Sequence, residues 1–262
     1  MSKMVVGMLH LPPLPGSPRS SLSIDSLEER VLADARILLE TGFGAAILEN
    51  FGDAPFFKDR VDEATIASMA RIAAAVRREA PALRLGINVL RNDAIAALSI
   101  AAATGASFIR VNVHVGATAT DQGIVEGRAA ETLRRRKALG AGVEIWADVH
   151  VKHGKSIAHD SIGAEAEDAV ARGLADALIV SGAATGSPAS LSDVESVKGL
   201  APLYVGSGVD EENVNHYLAL ADGVIVGTSI KEARKTTNPI QRDLCRRLME
   251  TIYRSSQNPS TT

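Results

Sequence analysis

Short runs of aliphatic and β-branched residues alternate along this chain with longer segments in which apolar residues recur every three or four positions. The runs predict strands at 5–9, 45–49, 84–89, 108–114, 144–151, 177–180, 203–206 and 223–226. The helical spacing predicts helices at 24–40, 63–79, 93–103, 127–139 and 239–253. This alternation is typical of parallel strands connected by helices.

A repeated turn indicates how many strand–helix units the chain contains. Gly42, Gly105 and Gly173 each follow a predicted helix and precede small residues and a strand, as a glycine C-cap does. The interval between each glycine and the next accommodates two strand–helix units of about 32 residues each. The whole chain therefore holds about eight such units. We therefore predict an α/β fold, a single (β/α)8 TIM barrel over residues 1–254 with a C-terminal helix, followed by a disordered tail over 255–262.

The composition agrees with a barrel and excludes several classes of function. Hydrophobic residues make up 46% of the chain and aromatic residues only 3%, so the core is aliphatic, as in helix-covered parallel strands. A net charge of −3 at pH 7 provides no basic field for nucleic acid. No apolar segment reaches the ~20 residues of a membrane span, and a single cysteine, Cys245, excludes an intramolecular disulfide. We expect a cytoplasmic protein without membrane insertion.

Two glycine-rich turns follow the last two predicted strands. In a TIM barrel these loops lie side by side, and their backbone N–H groups can bind a phosphate. The predicted phosphate ligands are Ser181, Gly182, Gly206, Ser207, Gly208, Gly227, Thr228 and Ser229. The alternative is that both turns are ordinary strand-to-helix connections in which glycine permits a positive φ.

Polar residues also concentrate at the carboxyl ends of the predicted strands. His10, Glu49 and Asn88 end the first three strands. Strand alternation places Arg110, Asn112 and His114 on one face of the fourth strand, and Asp148, His150 and Lys152 on one face of the fifth. Buried parallel strands carry charged residues mainly at the end that forms a functional site. These positions therefore predict an active site at the barrel mouth.

Acid–base chemistry is the function that these residue types favour. Asp148 or Glu49 is the candidate general base, and His150 or His114 can carry protons near neutral pH. The alternative for each is structural, as when a buried carboxylate such as Asp148 serves only as the partner of an arginine.

The remaining polar residues at the mouth are candidate charge stabilisers and substrate contacts. Lys152 and Arg110 can stabilise developing negative charge, and Lys152 can alternatively form a Schiff base. Asn88 and Asn112 are candidate substrate contacts.

A second enzymatic hypothesis uses a divalent metal. Its candidate ligands are His10, Asp148 and His150, with His114 or His153 as further imidazoles. The sequence has no Cys/His finger spacing, and we predict no other cofactor.

Seven segments of the sequence resemble the signature blocks of the BtpA/SgcQ family. They span residues 7–18, 48–56, 86–93, 110–116, 120–123, 147–153 and 226–231. The resemblance runs in order from about residue 4 to residue 250 and implies a TIM-barrel fold. The family has carried two functional descriptions, a photosystem I biogenesis factor in cyanobacteria and a predicted enzyme beside sugar-uptake genes in other bacteria.

Three functions therefore stand as alternatives. The first is a cytoplasmic lyase, isomerase or glycosyl-bond-cleaving enzyme that acts on a small phosphorylated substrate, either a phosphosugar or a nucleotide-like molecule. The second is a metal-dependent hydrolase, and the third is a non-enzymatic assembly or binding factor. Phe51, Phe56 and Phe57 predict either a homo-oligomer contact or a cover over the ligand.

Overall fold

A closed barrel of eight parallel strands forms the centre of the molecule in the computed structural model, which describes residues 3–151, 153–182 and 186–257. The strands are β1 (Met4–His10), β2 (Ala45–Glu49), β3 (Arg84–Asn88), β4 (Phe108–Val111), β5 (Ala117–Thr120), β6 (Gly123–Glu126), β7 (Glu144–Val149), β8 (Gly154–Ser156), β9 (Ala177–Ser181), β10 (Leu203–Gly206) and β11 (Gly223–Val226). The helices are α1 (Ile24–Glu40), α2 (Glu63–Glu79), α3 (Ala94–Thr104), α4 (Ala129–Ala138), α5 (Ile162–Ala171), α6 (Leu191–Val197), α7 (Val214–Leu220) and α8 (Arg242–Gln257).

The barrel closes in the order β1-β11-β10-β9-β7-β4-β3-β2, and every pair of neighbours in it is parallel. The predicted TIM barrel is therefore confirmed. Three of its strands are shorter than predicted, because β3 ends at Asn88, β4 at Val111 and β7 at Val149.

The helices begin where polar side chains satisfy their first N–H groups. Ser23 accepts a hydrogen bond from the backbone of Ser26 at the start of α1, and Asp62 does the same for Thr65 in α2, as N-cap residues do. At the other end of the chain, α8 continues to Gln257, three residues past the predicted end of the domain. Residues 258–262 of the predicted tail lie outside the described residues.

Of the three predicted glycine caps, Gly42 and Gly105 have a positive φ, of 89° and 71°, and Gly173 does not. Gly105 ends α3 with a φ of 71°, whereas at the end of α5 the positive φ belongs to Leu174. Gly173 is required for space instead, since a Cβ there would lie 2.6 Å from the Ala169 carbonyl oxygen and 3.0 Å from His114 Cδ2.

The lower half of the barrel interior is filled by stacked aromatic rings. Phe108, Trp146 and Tyr204 stack with ring centroids 3.9 and 4.0 Å apart. A Cβ on Gly86 would lie 2.2 Å from Phe108, so this glycine makes room for the stack. Aliphatic residues fill the space between strands and helices. Below its mouth the barrel is a packed core, and the polar groups that remain accessible lie at the mouth.

Two segments outside the predicted strands and helices contain a small antiparallel sheet. Its strands pair in the order β6-β5-β8 and lie after β4 and β7. Val125 packs beneath it against Val113 and Val151. The strands have only three or four residues each, too few for alternation to be recognised in the sequence.

Candidate active site

The carboxyl ends of the first four barrel strands bring their polar residues to one level. In the ladder, His10 is opposite Glu49, Glu49 opposite Asn88, and Asn88 opposite Arg110. The sequence-predicted clustering of these four residues at the mouth is thus present in the structure.

A buried ion pair between Arg110 and Asp148 crosses from β4 to β7. Arg110 Nε and Nη2 donate to the two carboxylate oxygens of Asp148, both at 2.9 Å, and the side chains are 2% and 0% exposed. Burial opposes the charged form of Arg110, but the attraction of Asp148 is stronger, so the pKa of Arg110 is raised. Asp148 is therefore engaged as a counter-ion, which favours the structural alternative over a role as general base.

The two asparagines predicted to contact substrate extend this network. Asn112 Nδ2 donates to Asp148 Oδ2 at 2.9 Å, and Asn88 Nδ2 donates to Asn112 Oδ1 at 3.1 Å. Asn88 also donates to the backbone oxygen of Arg110. These residues form a polar floor under the mouth, and of the two asparagines only Asn112 lines the larger cavity described below.

His10 and Glu49 lie above this floor as a neighbouring acid–base pair. His10 Nε2 is 3.7 Å from Glu49 Oε1, and both side chains are 8% exposed. The imidazole also packs against Phe51, with ring centroids 4.9 Å apart. The sequence proposed Glu49 as a base and His10 only as a metal ligand, and the structure brings the two together.

A cavity of about 150 Å³ lies beside His10 at the ends of β10 and β11. Five predicted phosphate ligands line it: Ser207, Gly208, Gly227, Thr228 and Ser229. Among the described residues, the N–H groups of Gly208, Thr228 and Ser229 donate to no other loop or strand. The other three predicted ligands, Ser181, Gly182 and Gly206, do not line this cavity.

The backbone of these turns depends on glycine at particular points. Ser207 and Gly208 have φ values of 68° and 62°, and a Cβ on Gly208 would lie 2.3 Å from the backbone nitrogen of Pro188. A Cβ on Gly227 would lie 3.0 Å from His10 Cε1. Glycine at both positions therefore allows neighbouring groups to approach the cavity closely.

Arg234 also lines this cavity, and no sequence pattern indicates it because it lies in an irregular segment beyond the glycine motif. The segment is anchored by a buried ion pair in which Lys231 Nζ lies 3.2 Å from Asp34 Oδ2. The backbone N–H of Ile240 donates to the other oxygen of Asp34 at 2.8 Å. Burial lowers the pKa of Lys231. Asp34 of α1 thereby fixes both ends of the segment that carries Arg234.

A second cavity, of about 850 Å³, lies on the other side of His10, which lines both. Its apolar wall includes Leu11, Phe51 and Phe56, so two of the three predicted phenylalanines line this cavity. Phe57 is 55% exposed. The cavity is also lined by Arg19, Arg30 and Arg91, by Glu49 and by His153.

Two predicted catalytic histidines point away from this mouth. His114 Nε2 lies 2.8 Å from the carbonyl oxygen of Gly173, and burial lowers the pKa of His114. His150 has a φ of 49°, which ends the strand alternation, and its Nε2 lies 3.7 Å from Glu165 on α5. The predicted single face of the fifth strand therefore stops at Asp148. Lys152 lies outside the described residues.

The candidate metal ligands are not brought together. Asp148 is paired with Arg110, and His150 faces Glu165 rather than His10. Within residues 3–151, 153–182 and 186–257, no group of three His, Cys, Asp or Glu side chains is arranged to hold a metal.

The ion pair of the floor predicts a stability defect in Asp148→Asn. This change leaves the buried Arg110 charge without its counter-ion, so we expect the free energy of unfolding to fall by ~3–5 kcal/mol in denaturant titration. Asp243→Asn on the exposed side of α8 is the matched control and should be nearly neutral. A loss below ~1 kcal/mol for Asp148→Asn would contradict the structural role.

Burial of His114 predicts a dependence of stability on pH. Its folded pKa lies below the ordinary value of 6.5, so the unfolded chain binds the proton first as the pH falls. The free energy of unfolding therefore decreases below about pH 6.5, by up to ~1.4 kcal/mol per pH unit. His114→Gln should reduce this slope, whereas His216→Gln on the exposed face of α7 should not. Equal slopes in the two variants would exclude His114 as the cause.

No helix in the described ranges has the length and apolar character needed to cross a membrane. Solved structures with this fold include a 3-keto-L-gulonate-6-phosphate decarboxylase of Vibrio cholerae (TM-score 0.60, 12% identity, 97% of this chain and 98% of that one). An N-(5'-phosphoribosyl)anthranilate isomerase of Pyrococcus furiosus is similar to the same extent (TM-score 0.59, 12% identity, coverage 96% and 99%). At such identities the likeness concerns the fold.

Sequence comparison is more specific. The photosystem I biogenesis protein BtpA of Synechocystis is 46% identical over 230 residues, which cover 87% of this chain and 80% of that protein. The model of the BtpA family matches residues 1–254. The chain therefore belongs to the BtpA family.

Proposed function

We propose that this chain is a TIM-barrel enzyme that acts on a small phosphorylated substrate by acid–base chemistry between His10 and Glu49. The observation that carries the proposal is the position of His10, which lines both the small glycine-rich cavity and the larger one. A molecule held by a phosphate in the first cavity and extending into the second would pass the His10–Glu49 pair.

The smaller cavity has the groups that a phosphate requires. Backbone N–H groups of Gly208, Thr228 and Ser229 supply directional donors, and Arg234 supplies positive charge. Asp210, the one carboxylate among the described residues of its lining, accepts hydrogen bonds from the backbone of Glu212 and Asn213. Asp210 is thereby used to shape its own loop.

The chemistry at the junction would be proton transfer. Glu49 can remove a proton from a carbon next to a carbonyl, the electron pair then moves to the carbonyl oxygen, and His10 can return a proton. Arg110 lines the smaller cavity and can stabilise the developing negative charge. An isomerase or lyase fits these groups best.

The two structural neighbours support this assignment by their names, since one is a decarboxylase of a sugar-acid phosphate and the other an isomerase of a phosphoribosyl compound. The name of the Synechocystis relative favours a second candidate, a role in assembling a protein complex. These candidates differ in whether function depends on the mouth residues.

Phosphate binding is tested by thermal stability. Phosphate at ~100 times its dissociation constant should stabilise the protein by about 2.7 kcal/mol, seen as a rise in melting temperature. Arg234→Gln should reduce this rise strongly, because it removes the cation of the site. Lys235→Gln, the next exposed cation in the same segment, should retain it. An equal rise in both variants would remove Arg234 from the site.

Catalysis is tested with a mixture of phosphorylated metabolites, followed by mass spectrometry. We expect the wild-type protein to consume particular compounds, and Glu49→Gln or His10→Asn to consume them ~10²–10⁴ times more slowly. Glu167→Gln, on the exposed face of α5, is the control. Unchanged consumption in both mouth variants would refute the acid–base pair, and no consumption by the wild type would favour the assembly role.

A further inference from the structure

Three arginines line the larger cavity beyond His10. Arg19 comes from the loop before α1, Arg30 from α1 and Arg91 from the loop after β3. Among the described residues that line it, the only carboxylate is Glu49. A chain with a net charge of −3 thus has a concentration of positive charge on one side of its candidate acid–base pair.

The bonding of Arg19 and Arg30 differs from that of arginines elsewhere on the surface. Arg36 and Arg71 form ion pairs with carboxylates on neighbouring helices. Within the described part of the chain, Arg19 and Arg30 form no ion pair with a carboxylate. Arg30 donates instead to the backbone oxygen of Thr237, another residue of the cavity wall.

Arg91 is the most buried of the three, at 7% exposed. Burial lowers its pKa, and the carboxylates Asp148, Asp121 and Glu49 offset only part of that effect. Because Arg91 lines the cavity, an anion bound there would lie beside a guanidinium group, which can donate paired hydrogen bonds to a carboxylate or a phosphate.

The backbone that carries Arg91 is held in place independently of any ligand. Asn50 accepts a hydrogen bond from the N–H of Leu90 at 2.7 Å and donates to the Leu90 carbonyl oxygen at 3.3 Å. The N–H of Arg91 donates to the carbonyl oxygen of Phe57 at 3.1 Å. The cation is thus presented from a fixed loop, as in preorganised binding sites.

We propose that the substrate has a second anionic group at the end opposite its phosphate, and that Arg30 and Arg91 bind it. This proposal rests on the proposed function, because it uses the smaller cavity as the phosphate site. Guanidinium groups suit both carboxylates and phosphates, which they can bind with paired hydrogen bonds. The substrate class is then a phosphorylated organic acid or a bisphosphate, with the reacting carbons between its two charged ends beside His10 and Glu49.

The test uses probes that do not depend on the substrate's skeleton. Alkylphosphonates of graded chain length are compared by calorimetry with the bisphosphonates and ω-carboxyalkylphosphonates of the same lengths. At the best length, the second anion should tighten binding by ~10-fold or more, since hydrogen bonds to charged groups contribute ~1.5–3 kcal/mol. The series whose second anion increases the affinity more, bisphosphonates or ω-carboxyalkylphosphonates, identifies the second group as phosphate or carboxylate.

Variants separate this proposal from the proposed function. Arg30→Gln and Arg91→Gln should lose most of the gain while binding the simple phosphonate as the wild type does. Arg234→Gln should weaken every probe, and Arg254→Gln on exposed α8 should change none. If Arg91→Gln does not fold, as judged by circular dichroism, Arg30→Gln provides the same readout.

The outcomes are distinguishable. If the wild type binds simple phosphonates through Arg234 but gains nothing from a second anion at any length, the second subsite is refuted and the phosphate site stands. A gain that persists in both Arg30→Gln and Arg91→Gln also refutes the assignment. If inorganic phosphate and all phosphonates fail to bind, the proposed function itself fails, and this proposal fails with it.

Discussion

The ion pair between Arg110 and Asp148 is the interaction on which the organisation of the mouth depends. It joins β4 to β7 inside the barrel, where two isolated charges would be too costly to bury. The carboxylate also accepts from Asn112, which in turn accepts from Asn88. One compensated charge pair thereby fixes a floor across three strands, and the groups above it can be positioned against a rigid surface.

This floor separates two regions with different requirements. Below it, the rings of Phe108, Trp146 and Tyr204 exclude water and keep the barrel closed. Above it, two cavities lie on either side of His10. Arg19, Arg30 and Arg91 line the larger of these cavities.

The sequence predicts the fold well because strands and helices are governed by local patterns. The positions of β2 and α1, for example, match their predicted bounds, and the glycine turns after β10 and β11 do line a cavity. Strand alternation misleads where a strand ends, as at His150, whose positive φ turns its side chain towards Glu165. Arg91 and Arg234 were not foreseen, because they lie in irregular segments whose direction is set by tertiary contacts with Asn50 and Asp34.

The shape of the mouth bears on the choice between an enzyme and an assembly factor. A protein partner needs an accessible surface of substantial area, whereas His10 and Glu49 lie at the base of concave cavities with only 8% of each side chain exposed. The larger cavity, at about 850 Å³, has the size of a small-molecule site. An assembly role in this family would therefore use the outer surface of the barrel, or would follow from the small molecule that the mouth binds. In either case the small anionic ligand that we propose would account for His10, Glu49 and the arginines that line the larger cavity.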